Sequence, residues 1–499
     1  MSRTSGATES IWRTADVTSL ITPLELDDVV VDACIVGAGI AGLSTARALA
    51  RAGKNVVVLD LAPVAHGQTE RTSAHLASAL DDRFYLLSKH FGKQGARLAA
   101  ASHAAAVDEI ERLVRELDIA CDFRRVDGYL WGDARVLERE LGAASEAGLR
   151  VEAVSRTPLP FDTGQALRFA DQAEFEPVAY CAAIARDLVA AGGRIHRAHV
   201  LMVEDGDPCI VELEGGGRLL ATDVIDATGM GITSRYQLPL RCAAYRSYVI
   251  AFRASSIPHA LYWDTEDPYH YLRVAASPDG EVLLVGGSDH RVGQGDPEQA
   301  WSTLECWARE RMPQLGEIVT RWSGQVLEPS DALAFIGRLP DQSHVYIVAG
   351  DSGNGLTHGV IASLLLPALI AGQSHPWAEL YAPDRSRAHG IGTLVYEAMR
   401  SNLPFRDWIS PADISSVDEL ANNTGGTLRK GLHLIAAYRD DHGRCHVDRS
   451  ARCPHMHGVV RWNDAEKSWD CPVHGSRFDG RGRVLNGPSA HDLATVEDD

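Results

Sequence analysis

The sequence predicts an α/β fold interleaved with an α+β part and closed by a small all-β tail. Three observations predict it. A strand, glycine turn, helix and strand follow one another just after residue 30. Short alternating strands fill residues 240–290. Two Cys/His hooks, Cys453-Pro-His455 and Cys471-Pro-Val-His474, stand fifteen residues apart in a turn-rich end.

The elements follow in order. Residues 1–30 read as a polar arm. Val30 to Val36 is an apolar strand, and Gly37-Ala38-Gly39-Ile40-Ala41-Gly42 follows it. Leu43 to Ala52 has helical spacing, Gly53 suits its end, and a second strand, Asn55 to Leu59, runs into Asp60. This is a dinucleotide fingerprint in its required βαβ context. Gly37 permits the tight turn, Gly39 lets the backbone approach a pyrophosphate at the helix N-terminus, and Gly42 allows close helix packing. Asp60, 18 residues beyond Gly42, suits a ribose hydroxyl in either FAD or NAD. Phe84 to Leu117 predicts one or two helices, Cys121 to Phe161 short strands and a helix, and Pro177 to Ala191 a helix ended by Gly192-Gly193. Gly215-Gly-Gly217 reads as a hairpin turn. Gly286-Gly287 follows a strand without developing into a second fingerprint, so no nicotinamide site is visible. Residues 345–372 return to the first fold, and Ala388 to Asp413 reads as a linker.

Three more segments carry a resemblance. His66 to His75 follows the acid strand. Asp223-Val-Ile-Asp-Ala-Thr-Gly229 ends in an Ala-Thr-Gly turn. Tyr346-Ile-Val-Ala-Gly350-Asp351 leads into Ser-Gly-Asn-Gly355-Leu356-Thr357-His358-Gly359. In this order the chain resembles the D-amino-acid-oxidase-like FAD-dependent oxidoreductases, of the Rossmann-like, two-dinucleotide-fold type, over about residues 10–400. The resemblance implies FAD. It implies that Arg71, Thr72, Ser73 and His75 run beside pyrophosphate and flavin, with a simple turn or cap as the other reading of Thr72 and Ser73. It puts Val200 at the adenine, and Gly229, Gly350, Asp351, Gly355, Leu356 and Thr357 around the flavin. A helix starting there would aim its positive end at reduced flavin.

The hooks supply two thiolates and two imidazoles. Cys453, His455, Cys471 and His474 suit a [2Fe–2S] cluster with two Cys on one iron and two His on the other. Structural zinc is the competing reading. The stretch from about Pro411 resembles the Rieske domains, and the whole chain resembles the oxidoreductase subgroup fused to one. Where many such loops carry a disulfide, Gly458 and Val473 stand instead, and Phe478 replaces a family tyrosine. Ser476 is retained. These departures predict a low-potential centre. His457 reads as a bystander.

Expected boundaries are an arm at 1–30, an oxidoreductase at 31–400 and a Rieske domain at 411–499. The FAD parts span about 31–120, 175–235 and 330–400, and the substrate parts about 121–174 and 236–329. Tyr269, Tyr271 and Arg273 share one face of a predicted strand. Arg273 with Tyr271 offers a carboxylate clamp, against a plain surface arginine, with Arg338 as rival. His358 is a catalytic candidate or a structural histidine beside the cofactor.

Composition fits a globular chain of several domains: 499 residues and 45% hydrophobic. Net charge of −19, from 48 basic and 67 acidic residues, disfavours nucleic acid and anionic membrane surfaces. Of nine cysteines, two are the proposed ligands, and the odd, unpatterned remainder does not form a secreted disulfide framework. No membrane span or signal peptide is expected, which predicts a cytoplasmic protein. The favoured function is an FAD/Rieske oxidoreductase that takes electrons from a small amine or amino-acid-like molecule. The alternatives are an electron-transfer component for an external protein redox partner, and a cluster-based redox sensor.

Overall fold

The computed structural model describes residues 6–12, 17–24, 30–233, 238, 241–385, 411–431 and 433–497. Parts of the expected arm, and the expected linker up to residue 410, lie outside the described residues.

Apolar runs build the first sheet. Val31–Val36, Val56–Asp60 and Val345–Ala349 are nearly all buried, as strands covered on both faces must be. Val31–Val36 pairs in parallel with Val56–Asp60 on one side and Arg218–Gly229 on the other. Arg218–Gly229 also takes Val345–Ala349 in parallel and the hairpin strand Cys209–Leu213 antiparallel. Gly215 and Gly216 turn that hairpin with φ of 90° and 85°. Ile21–Thr22 of the arm adds an edge strand beside Arg194–Arg197. Helices Ile40–Arg51 and Gly355–Ile370 pack on each other. They cross where Gly359 has no side chain, since a Cβ there would lie 3.0 Å from the Ala41 nitrogen. That crossing brings two helix N-termini to one place.

The second sheet also has nine strands. Ile318–Pro329, Cys242–Arg253, Gly280–Arg291, His270–Ser277, Leu261–Asp264, Arg124–Trp131, Ala166–Glu174 and His75–Leu76 lie in that order, with Val151–Val154 beside Ala166–Glu174. Gly286 gains a role here. It pairs with Tyr271 across the strands, and a Cβ on it would meet the Tyr271 ring at 2.0 Å. The glycine makes room for a tyrosine to lie across the sheet, which is why no phosphate loop develops. Phe84–Glu116 forms one helical run broken at Gly92, with φ of 69°.

The C-terminal part holds two small antiparallel sheets. One joins Thr424–Lys430, His433–Arg439 and Cys445–His446; the other joins Arg461–Asn463, Ser468–Asp470, Arg477–Asp479 and Val484–Asn486. Trp469, Phe478, Val460 and Leu493 fill their core. Among the described residues, no helix is long and apolar enough to cross a membrane.

Candidate active site and cluster site

A cavity of about 370 Å³ opens between the two large sheets. Gly37, Gly39, Ile40 and Ala41 line one end, with Asp60 beside them. The Asp60 carboxylate accepts from the Ala38 and Ala62 N–H groups at 2.6 and 2.7 Å, so it is held against the first glycine turn. Gly37 has φ of 111°, and a Cβ on it would strike the Ala227 carbonyl at 2.6 Å. Gly42 does not line the cavity. A Cβ there would lie 1.9 Å from the Gly37 carbonyl, so its job is helix-to-strand contact. Ala38 acts through its backbone alone.

Neither Gly39 nor Asn354 gives its helix a side-chain cap, although Thr69 Oγ1 accepts from the Ile40 N–H at 3.1 Å. Both helix ends turn their positive partial charge toward the cavity, which favours an anionic ligand. Val200, Gly229, Gly350, Asp351, Gly355 and Leu356 line the wall, as do Thr72, Ser73 and His75. The two readings of Thr72 and Ser73 meet: Thr72 Oγ1 caps Ala74 N–H at 3.0 Å and Ser73 Oγ bonds His75 Nδ1 at 3.0 Å. His75 Nε2 is buried with no hydrogen-bond partner, and burial, then Arg273, pushes the ring down to about 3, so it is neutral.

Five expectations change. Arg273 is not on the cavity wall. Its guanidinium is buried and donates to the carbonyls of Val274, Ala74 and Phe175 at 3.0, 2.6 and 3.2 Å, under the Trp12 ring. No donor fork is left for a carboxylate. Arg71 lines the cavity, but its guanidinium turns away to Glu466. Thr357 lies off the wall and bonds His103 Nδ1 at 2.7 Å. His358 does line the cavity, yet its Nδ1 meets the Asp351 carbonyl at 3.0 Å and its Nε2 meets the Ala334 N–H at 3.4 Å. Burial lowers its pKa to about 4. It is a neutral ring that fixes the turn. Arg338, the rival clamp, is exposed and donates to the Gln342 carbonyl.

Acids that the sequence reading missed cluster near Tyr269 and Tyr271, some on the cavity wall and some behind it. Asp81 lines the cavity with Tyr269, Tyr271 and Ser247. Tyr269 stands near Asp81 and Asp289 and Ser247 near Asp289, each drawing the neighbouring carboxyl down against burial. The Tyr271 hydroxyl lies 2.8 Å from Ser247 Oγ. Asp289 Oδ1 has no hydrogen-bond partner. Burial raises Asp289 and Asp82 to about 7 and Asp351 to about 6. Arg83 donates to the Asp81 and Asp264 carbonyls at 2.5 and 3.0 Å and also pairs with the Asp81 carboxylate at 3.5 Å.

The two Cys/His hooks fold alike. In each, the Cys N–H donates five residues ahead, Cys453 to Gly458 at 2.9 Å and Cys471 to Ser476 at 2.8 Å. In each, the N–H four residues ahead returns to the Cys carbonyl, from His457 at 2.9 Å and Gly475 at 3.0 Å. The His455 and His474 rings meet edge to face with centroids 5.1 Å apart. His474 Nδ1 is buried without a partner, and burial, then His455, lowers that ring to about 3, the neutral state a metal ligand needs. Among the described residues, the one trio of His, Cys, Asp or Glu donors within 4.8 Å of one another is Asp264, Glu266 and His270. The four hook donors therefore spread wider than a single zinc shell and suit two irons. A Cβ on Gly458 would lie 2.4 Å from a Val473 methyl, so a small apolar contact stands where a disulfide strut was absent. Ser476 Oγ accepts from the Ser489 N–H at 3.0 Å, which ties in the Gly487-Pro488 loop. His457 is exposed, off the ligand set.

The two sites touch. Val484, Asn486, Gly487 and Ser489 line the same cavity as Gly37. Glu466 accepts from Arg71 Nη1 at 3.0 Å, from Thr8 Oγ1 at 2.6 Å and from Ser323, with Arg246 at 3.7 Å. Burial alone would raise that carboxyl, but Arg71, then Arg246 and Arg477, hold it well below the carboxylate range. The arm adds a bond from Ala7 N–H to the Glu466 carbonyl, 3.0 Å.

These sites define a flavoprotein joined to an iron–sulfur protein. Residues 32–368 match the model of the FAD dependent oxidoreductase family and residues 410–497 that of the Rieske [2Fe-2S] domain. The chain belongs to the FAD dependent oxidoreductase family and carries a C-terminal Rieske domain; it binds FAD and a [2Fe–2S] cluster. It is 27% identical to YhfW of Bacillus subtilis (strain 168), described as a Rieske 2Fe-2S iron-sulfur protein, over 98% of each chain. It is 24% identical to gamma-glutamylputrescine oxidoreductase of Escherichia coli (strain K12), over 70% of this chain and 85% of that one. Glycine oxidase from Geobacillus kaustophilus shares the fold, with a TM-score of 0.61 at 17% identity over 71% of this chain and 99% of that one.

Proposed function

We propose that this oxidoreductase takes electrons from a small cationic amine and passes them singly to its own cluster. One observation carries the reading: the Rieske fold forms part of the wall of the flavin cavity. When bound, FAD accepts two electrons as a hydride from a carbon beside nitrogen, and the cluster takes one electron at a time.

The residues supply binding and proton chemistry. Asp81 lies on the wall beside Arg83, and Asp289 stands behind the wall residues Tyr269 and Ser247, so two acids bias this end of the cavity toward an ammonium group. An ammonium must lose a proton before its neighbouring carbon gives up hydride. Asp289, at about 7, is poised to take that proton near neutrality. Among the described residues, Arg273 and Arg71 are committed to partners away from the cavity and Arg83 to Asp81, so none offers a free fork for an amino-acid carboxylate. The resemblance to an oxidoreductase named for a substituted putrescine supports an amine. All nine cysteines are unpaired, which supports a reducing, cytoplasmic setting.

The test is an anaerobic panel of monoamines, diamines, neutral amino acids, alcohols and nicotinamide cofactors. Cationic amines without a carboxylate are expected to bleach the flavin band fastest. Bleaching by amino acids or by NAD(P)H alone would overturn the proposal.

A further inference from the structure

Gln325 belongs to both sites at once. It lies on the strand Ile318–Pro329, is only 6% exposed, and lines the flavin cavity. Its N–H donates to Gln68 Oε1 at 2.7 Å, and Gln68 lines the same wall. On its other side stands Gly475, the residue after the cluster ligand His474. A Cβ on Gly475 would fall 2.7 Å from Gln325 Nε2 and 2.6 Å from the Ala244 methyl. The cluster turn therefore meets the oxidoreductase fold at backbone distance, which glycine permits with φ of 79°. The Gln325 amide oxygen is buried and has no hydrogen-bond partner. A buried amide end without a partner is costly, so contact with Gly475, not a bond network, holds this side chain.

We propose that Gln325 is a positioning residue of the electron path, a side chain that reaches from the cavity wall to the turn after the cluster ligand His474. Arg71 and Glu466 pin that contact from beside it. One electron at a time leaves reduced flavin and turns one ferric iron ferrous, with no bond made or broken. An outside one-electron acceptor reoxidises the iron before the second electron follows. This rests on the electron route given above, but not on the amine.

The test starts without substrate. Holoenzyme and variants, matched for FAD and iron content, are photoreduced at the flavin, and the appearance of reduced cluster is timed. Gln325→Ala is expected to slow the transfer by about tenfold, because a preorganised contact loosened by about 1 Å no longer serves. Gln325→Met, with the same reach and no amide, is expected to restore most of the rate. Cluster potential should stay put in both, since neither change touches a ligand, and hydrogen exchange at Gly475 should quicken in Gln325→Ala alone. Transfer in Gln325→Ala as fast as in the native protein, or a slow Gln325→Met, would overturn the assignment. Transfer after photoreduction with no amine able to bleach the flavin would sink the substrate reading and leave this one standing.

Discussion

Single residues decide the substrate reading. If Asp289 holds an ammonium, Asp289→Asn weakens amine binding and flattens its dependence on pH. In the native protein, Asp289 and Asp82 ionise near 7, so amine binding strengthens as pH rises through that point. Stability runs the opposite way. The folded state holds protons on these acids that the unfolded state releases near 4, so stability declines from about pH 4 to 7. Binding titrations and urea melts at pH 5.5 and 8 check both signs. Arg273→Ala, by contrast, leaves three carbonyls and the nearby Glu174 without their cation, at 3.9 Å. It should cost about 3 kcal/mol or more in urea melts and leave substrate preference unchanged. Loss of affinity for carboxylated substrates in a fully stable variant would revive the clamp. The sequence placed Tyr269, Tyr271 and Arg273 on one face, and that pattern is real. Which end of the face meets the cavity depends on Ala74 and Phe175, far away in the chain. The acids were illegible for the same reason: Asp81 and Asp289 meet only through Tyr269.

Elements were the most legible scale. Gly37 to Gly42, the flanking strands and Asp60 carry their geometry within thirty residues, and local spacing suffices. The hooks are equally local, because each closes on itself within five residues. Gly286 was not legible, since its reason is a ring on the neighbouring strand. Gly286→Ala is therefore expected to push Tyr271 from its place and shift the flavin absorption bands, while the cluster spectrum stays as it was. Unchanged flavin bands would show that Tyr271 does not border the ring. Gly42→Ala, aimed 1.9 Å from a carbonyl, should lower FAD retention through dialysis.

At the scale of the molecule, separate recognition of two folds hid how they join. Glu466 and Arg71 stand 395 positions apart, and the arm closes over both. No spacing rule reaches that far. Glu466→Ala removes the acid from three buried arginines and should cost about 3–5 kcal/mol, with early protease cuts between the folds. Cys471→Ser should lose iron and retain FAD, because all four cluster ligands sit on turns between strands of the C-terminal part.

The most direct measurement follows both centres after anaerobic mixing with a reducing amine. Flavin absorbance should fall first, and the reduced-cluster resonance should then grow at a rate that does not change with protein concentration. A bleached flavin beside a lastingly oxidised cluster, or cluster reduction that speeds up in proportion to protein concentration, would contradict a single-chain electron path.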